Sequence, residues 1–182
     1  MIIEDARGRR AIHFQEWWIK YRASIPAQGF VLVGVDQAKP APGVLEAIET
    51  ADIVLLPPSN PVVSIGTILQ VPGIREAIAT TAAPVVGLSP IVGGAPVRGM
   101  ADACLTALGI ETTAAAVAAH YGARSNGGVL DGWLVDSADA DSVAAINASG
   151  LTAQAVPLMM TDIDATAAMA NAAIAMAESL RK

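Results

Sequence analysis

The segment IVLLPPSNPVVSIGTIL, residues 53–69, decides the fold. It begins with the apolar run Ile53–Leu56, passes through the proline-rich turn Pro57–Pro61 and continues as a helical pattern over Ser64–Leu69. Such a succession is typical of a buried parallel strand that leads into a helix. Ligands of open parallel sheets bind outside the carboxyl ends of the strands. The segment therefore predicts an α/β domain whose functional end lies beside the turn.

The same alternation continues along the chain from residue 30. Strands are predicted at the apolar runs Phe30–Val35, Ile53–Leu56, Pro84–Leu88, Val129–Val135 and Ala155–Met159. Helices are predicted between Gly, Pro, Thr, Asp and Asn boundaries at Gly43–Thr50, Ser64–Leu69, Gly73–Ala79, Met100–Leu108, Thr112–Tyr121, Ala138–Asn147 and Ala165–Leu180. Right-handed crossovers between such strands predict a Rossmann-like three-layer α/β fold for residues 30–182, with helices on both faces of a parallel sheet.

Residues 1–29 form a different predicted unit. A strand at Met1–Asp5, a turn at Arg7–Arg9 and a partner beginning at Arg10–His13 predict a hairpin. The aromatic residues that follow have helical spacing and line one face, namely Phe14, Trp17, Trp18 and Tyr21. We favour a core or interface role for this face over a ligand-stacking platform.

Composition excludes several classes of function. Of 182 residues, 53% are hydrophobic and 15% are charged, which predicts a well-filled core. The formal net charge of -6 argues against a nucleic-acid partner, because binding to phosphates needs a basic surface. A lone Cys104 and no signal-peptide pattern favour a reducing, cytoplasmic setting. Four prolines in residues 53–74, the least polar long stretch, argue against a membrane span.

The first candidate site is the turn after the strand Ile53–Leu56. Ser59 and Asn60 offer short hydrogen-bonding side chains, Ser64 begins the helix, and Gly66 permits close approach. A nucleotide phosphate is one interpretation of this pattern. An ordinary turn in which Ser64 is only an N-cap is the other, and the residues leave both open.

The second candidate site follows the strand Pro84–Leu88. Gly93 and Gly94 would let backbone amides approach an anion, and Arg98 offers a bidentate phosphate contact. The alternative is a flexible loop with a solvated arginine. In a parallel sheet this loop and the first would share one edge.

Other reactive residue types form no pattern. His13 and His120 lack metal-ligand spacing around them, and Cys104 lies in an apolar helical stretch typical of the core. No close pair of carboxylates suggests acid–base catalysis. The sequence therefore identifies no catalytic residue and no metal ligand in this chain.

The two loops resemble the 2-phospho-L-lactate transferase family (CofD), in particular its actinobacterial phosphoenolpyruvate transferase branch. The matching motifs are Pro58–Pro61, Ser64–Gly66, Val71–Ile74, Ser89–Gly94 and Val97–Asp102, with His13–Trp18, His120–Gly122 and Leu130–Trp133 outside the loops. The resemblance runs nearly from end to end but covers only the carboxyl-terminal part of the family. The family's amino-terminal glycine-rich loop and magnesium-linked aspartates have no counterpart here.

This resemblance implies a transferase of coenzyme F-420 biosynthesis. The family moves a phospholactyl or phosphoenolpyruvyl group from a guanosine diphosphate anhydride onto the deazaflavin precursor Fo, with magnesium, and releases GMP. It implies nucleotide or phosphate contacts from Ser59, Asn60, Ser64, Gly66, Gly93, Gly94 and Arg98. We expect the magnesium ligands outside this chain, no transferase activity from the chain alone, and a homo-oligomer.

Two alternatives stay open. One is a non-catalytic module that binds guanine nucleotide, or a partner protein through its aromatic face. The other is a structural remnant that packs as a homo-oligomer without a ligand. Binding of GDP separates the last from the others.

Overall fold

A computed structural model describes residues 1–181, so Lys182, the last residue of the second predicted unit, lies outside the described residues. A small antiparallel sheet opens the chain. Its strands are β1 (Ile2–Asp5), β2 (Gly8–Ala11) and β3 (Ala27–Gly29), in the order β2-β1-β3. The predicted hairpin is confirmed, but its turn is tighter than predicted because Asp5 already pairs with Gly8.

The predicted strand at Phe30–Val35 is wrong. The strand in this region is β3, which ends at Gly29, and Val35 begins a 3-10 turn. Gly34 has a φ of +78°, which reverses the chain inside the apolar run. Val31 and Val33 are 58% and 95% exposed. Hydropathy alone suggested a strand, but this segment pairs with no other strand within residues 1–181.

The aromatic face is divided between two environments. Residues Glu16–Lys20 form a single π-helical turn rather than a regular helix. Trp17 is completely buried, and its Nε1 donates to the carbonyl of Ile25 at 2.7 Å. Trp18 is only partly buried and packs against the same core. The favoured core interpretation is confirmed for Trp17.

The larger sheet has four strands, all parallel, in the order β4-β5-β8-β9. These strands are β4 (Val54–Leu56), β5 (Val85–Leu88), β8 (Gly132–Asp136) and β9 (Thr152–Val156). A short hairpin of β6 (Ile91–Val92) and β7 (Ala95–Pro96) follows β5. The α-helices are α1 (Val44–Glu49), α2 (Ile65–Leu69), α3 (Ile74–Thr80), α4 (Ala101–Thr106), α5 (Ala114–Tyr121), α6 (Val143–Ala148) and α7 (Ile163–Ser179).

Helices cover both faces of this sheet, which confirms the predicted α/β, Rossmann-like architecture. Alternate residues of one strand point to opposite faces. Val85 belongs to the main core, whereas Val86 packs in a second core with Met169, Met176 and other side chains of α7. The segment that decided the fold is confirmed as strand, turn and helix. However, β4 is an edge strand and only Leu56 within it is buried.

Several predicted boundaries move, and the strand predicted at Val129–Val135 begins only at Gly132. The helix predicted at Ala138–Asn147 is a 3-10 segment, Ser137–Ser142, followed by α6, because Asp139 has non-helical backbone angles. The strand predicted at Ala155–Met159 begins earlier, at Thr152, and ends before Pro157, which has no N–H to donate. The residues after Val156 therefore belong to the loop at the carboxyl edge.

An ion pair joins the amino-terminal ends of the central strands. Arg124 donates from Nε to Asp131 Oδ1 at 2.9 Å, from Nη2 to the second carboxylate oxygen, and from Nη1 to the carbonyl of Thr81 at 2.7 Å. Asp131 also accepts the N–H of Val85 at 2.8 Å. This network lies at the end of the sheet opposite the candidate site.

Candidate functional site

A cavity of about 920 Å³ lies at the carboxyl edge of the parallel sheet. Loops after β4, β5 and β9 form its walls, as expected for an open parallel sheet. Its lining combines hydroxyl, amide and guanidinium groups with apolar side chains. The lining residues are Trp18, Pro58, Ser59, Asn60, Ser64, Ser89, Pro90, Val97, Arg98, Gly99, Ala101, Leu158, Met159, Met160 and Thr161.

The loop after β4 is held by Asn60. Its Oδ1 accepts the N–H groups of Val62 at 2.9 Å and Val63 at 3.1 Å, and its backbone carbonyl accepts those of Ser64 and Ile65. The Asn60 side chain therefore holds the turn before α2, whereas the sequence placed the capping side chain at Ser64. Asn60 also contacts the buried Cys104 thiol, whose pKa is raised by burial and only partly lowered by this contact.

The Ser64 side chain is not used as a helix cap. The residue precedes α2, yet its side chain makes no capping hydrogen bond. Ser64 is among the lining residues of the cavity, together with Ser59 and Asn60. Ser64 therefore does not cap α2 through its side chain, and the choice between an ordinary turn and a nucleotide-binding turn stays open.

The loop after β5 divides into a structural part and an exposed arginine. The Ser89 hydroxyl donates to the carbonyl of Ile91 at 2.8 Å and accepts the N–H of the same residue, which fixes the loop at its start. Arg98 is exposed at the rim of the cavity and makes no salt bridge within residues 1–181. Its guanidinium is thus available to an anionic ligand.

The three glycines of the predicted site lie outside the cavity lining. Gly93 and Gly94 form the tip of the β6–β7 hairpin, with φ of +57° and +78°, and the N–H of Gly93 donates to Asp139 Oδ2 at 3.0 Å. Gly66 packs against the turn, since a Cβ there would lie 2.5 Å from the carbonyl oxygen of Pro61. A direct contact between any of them and a nucleotide stays a prediction.

Sequence reasoning missed the wall contributed by residues 158–161. Asp136, at the end of β8, holds this wall in place. Its Oδ2 accepts the N–H of Leu158 at 2.8 Å and its Oδ1 that of Ala138 at 2.9 Å, although the residue is only 8% exposed. The available signal was an aspartate directly after a continuous apolar strand. However, its partner Leu158 lies 22 residues away in sequence.

The described residues do not form a metal centre. Residues 1–181 contain no group of three or more His, Cys, Asp or Glu side chains placed to hold a metal ion. No magnesium ligand is therefore assigned within residues 1–181.

The family assignment follows from comparison with known proteins. The family model described as 2-phospho-L-lactate transferase CofD matches residues 1–177. The chain belongs to the CofD family. Among helices in the described part of the chain, none is long and apolar enough to cross a bilayer.

Its similar relatives include several actinobacterial proteins named phosphoenolpyruvate transferase. That of Streptomyces coelicolor is 66% identical over 96% of this chain and 53% of its own length. The protein of Streptomyces griseus is 67% identical over 98% of this chain and 55% of its own length. The protein of Thermobifida fusca is 62% identical over 100% of this chain and 53% of its own length. The chain therefore spans about half the length of the curated relatives it matches. A solved Bacillus halodurans structure superposes with a TM-score of 0.48 at 22% identity, over 75% of this chain and 47% of that one.

Proposed function

We propose that this CofD-family chain forms the donor-binding wall of a phosphoenolpyruvate transferase of coenzyme F-420 biosynthesis. The observation that carries the proposal is the meeting of three strand-end loops around one cavity. Its lining residues include Arg98, which makes no salt bridge within residues 1–181, and Ser64, whose side chain makes no capping hydrogen bond. The names of the actinobacterial relatives favour a phosphoenolpyruvyl group over a phospholactyl group.

In the proposed reaction the donor is a guanosine diphosphate anhydride of enolpyruvate. A ribityl hydroxyl of the deazaflavin acceptor gives up its proton to solvent and forms a bond to the phosphorus atom that carries the enolpyruvyl group. The bond from that phosphorus to the bridging oxygen breaks, and GMP leaves with the electron pair. Such chemistry asks the protein mainly to position the groups and to stabilise charge on the phosphoryl oxygens.

The residues of this chain suit the binding side of that task. Arg98 offers paired N–H donors to phosphate oxygens, which is the geometry that guanidinium recognises best. Ser59 and Ser64 add hydroxyl donors, and the Asn60 side-chain amide stays fixed by its own turn. None of these groups is a base for the acceptor hydroxyl, so the proposal assigns donor contacts here and no catalytic base.

Titration calorimetry with GDP tests the proposal. We expect the wild-type chain to bind GDP and the Arg98→Ala variant to bind it about tenfold more weakly or worse, because a charge-assisted hydrogen bond to phosphate is lost. Arg75→Ala, which removes an exposed arginine of α3, is the matched control and should change the affinity less than about twofold. Absence of GDP binding, together with an oligomer that forms on concentration, would instead support a structural remnant.

Turnover provides a separate test of the chain by itself. We expect no GMP release when the 182-residue chain is mixed with the donor, the deazaflavin precursor and magnesium, because the lining residues of the cavity include no Asp, Glu or His and residues 1–181 hold no group placed to bind a metal ion. Measurable release of GMP would refute the proposal that this chain supplies only the donor wall.

A further inference from the structure

Trp18 is the one aromatic side chain among the residues that line the cavity in the described part of the chain. It reaches the cavity from the amino-terminal unit, whereas the other lining residues belong to the parallel α/β unit. The sequence placed Trp18 on an aromatic face that we assigned to packing. The structure gives that role to Trp17 and leaves Trp18 beside the loops of the candidate site.

The local structure holds Trp18 firmly. Its neighbour Trp17 is completely buried, with its indole N–H bonded to the carbonyl of Ile25. The π-helical turn Glu16–Lys20 therefore has its backbone anchored at residue 17. Trp18 itself packs against the main core and is partly buried. An aromatic ring supported in this way loses little conformational entropy when a ligand stacks on it.

Apolar side chains from the third wall share this cavity. Met159 and Met160 are 44% and 55% exposed although both line the cavity. A methionine side chain is flexible and polarizable, and its sulfur interacts favourably with aromatic rings. Two exposed methionines and a supported tryptophan suit a flat aromatic ring, while Arg98 and Ser64 suit a phosphate.

We propose that Trp18 is the stacking surface for the planar aromatic ring of the ligand bound in this cavity. The inference rests on the proposed function for the identity of the ligand. It adds Trp18 to the binding residues and a planar aromatic ring to the ligand chemistry. Two rings of that reaction share the required chemistry. One is the purine base of the donor, and the other is the tricyclic ring of the deazaflavin acceptor.

Affinities for GDP and for riboflavin, a commercial probe for the tricyclic ring, distinguish the two sources. They are measured for the wild-type chain, for Trp18→Leu, which keeps apolar bulk, and for Trp18→Phe, which keeps a ring. We expect Trp18→Leu to weaken one of the two ligands by about 5- to 150-fold, the range for base–aromatic stacking. Trp18→Phe should recover most of that loss. The ligand whose affinity falls identifies the ring.

A second measurement reads the environment of Trp18 in the wild-type chain, with Trp18→Phe as its control. Trp17 and Trp133 are completely buried, so acrylamide quenching of the wild-type fluorescence reports chiefly on Trp18. A bound ring should reduce this quenching, and the effect should vanish in Trp18→Phe. If both ligands leave the quenching unchanged, the inference is overturned.

The outcomes separate this inference from the proposed function. If Arg98→Ala weakens GDP binding while Trp18→Leu alters neither affinity, the donor site stands and the stacking role of Trp18 is refuted. If the wild-type chain binds neither GDP nor riboflavin, both proposals fail together. Urea unfolding of each variant confirms that any lost affinity does not come from an unfolded protein.

Discussion

Removal of the Arg124 guanidinium should destabilise the fold strongly without touching the cavity. Arg124 makes two hydrogen bonds to the Asp131 carboxylate and one to the carbonyl of Thr81. A hydrogen bond that involves a charge contributes about 1.5–3 kcal/mol, and breaking a fully buried pair costs about 3–5 kcal/mol. The two side chains are 18% and 24% exposed, so solvent screens part of this energy. For Arg124→Ala we expect a loss of about 2–4 kcal/mol in the free energy of unfolding.

Urea unfolding followed by tryptophan fluorescence, to which the buried Trp17 and Trp133 contribute, measures this loss. A domain of this size loses about 2–4 °C of Tm for each kcal/mol, so the midpoint of thermal unfolding should fall by about 4–16 °C. The control is Arg181→Ala, which removes an ion pair with Asp52. The side chains of Arg181 and Asp52 are 48% and 95% exposed. That exposed pair should contribute less than about 1 kcal/mol.

Two results would contradict the reasoning. A free energy of unfolding within about 0.5 kcal/mol of the wild type would show that the Arg124 network does not stabilise the sheet. A changed GDP affinity in a folded Arg124→Ala protein would show that the two ends of the sheet are coupled. A double-mutant cycle with Asp131→Asn should give a coupling energy of about 1–3 kcal/mol, because the two residues are in direct contact.

Three further substitutions test the packing, the turn and the acid stability. Gly87→Ala should cost about 3 kcal/mol or more in urea unfolding, since a Cβ would lie 2.5 Å from the buried Trp133 ring; a cost below 1 kcal/mol would show that the ring moves freely. Asn60→Ala should lower the free energy of unfolding by about 1–2 kcal/mol, because two backbone N–H groups of the turn lose their acceptor. Ser64→Ala should leave the free energy of unfolding unchanged, because its side chain makes no capping bond. Equal effects of the two substitutions would contradict these separate roles. Asp162 is the N-cap of α7, and its pKa lies below the usual value, chiefly because its carboxylate accepts the backbone N–H of Ala165. The contribution of this carboxylate to folding stability is therefore present above about pH 4 and is lost as the pH falls through the folded pKa. Asp162→Asn should therefore show a smaller loss of Tm than the wild type between pH 5 and pH 2, and an identical loss would exclude this carboxylate as a contributor.

The fold was largely predictable from local patterns. Apolar runs of strand length, bounded by prolines and glycines, placed all four strands of the parallel sheet. Their common direction followed from the helices between them. The failure at Phe30–Val35 has a physical cause. An apolar run becomes a strand only where a neighbouring strand can bond it, and the reversal at Gly34 prevents that here.

The candidate site was predictable in part. The position of the two loops and the availability of Arg98 followed from the sequence, because strand ends of a parallel sheet lie on one edge. The division of labour within the first loop did not. Asn60 and Ser64 are both good capping residues, and only the folded geometry shows that Asn60 bonds the turn while the Ser64 hydroxyl stays uncommitted.

The sequence by itself determined the family, the parallel α/β architecture and the edge of the sheet at which a ligand would bind. Those properties follow from the local composition and from the spacing of residues along the chain. The tertiary structure alone decided which side chains share the cavity, because Trp18, Asn60, Arg98 and Met160 lie far apart along the chain. It also showed that the candidate glycines lie outside the cavity lining. Gly66, in α2, packs against the proline turn, and Gly93, in the β6–β7 hairpin, donates its N–H to Asp139. The proline turn at residues 57–61 is thus one wall of a cavity that three other segments complete.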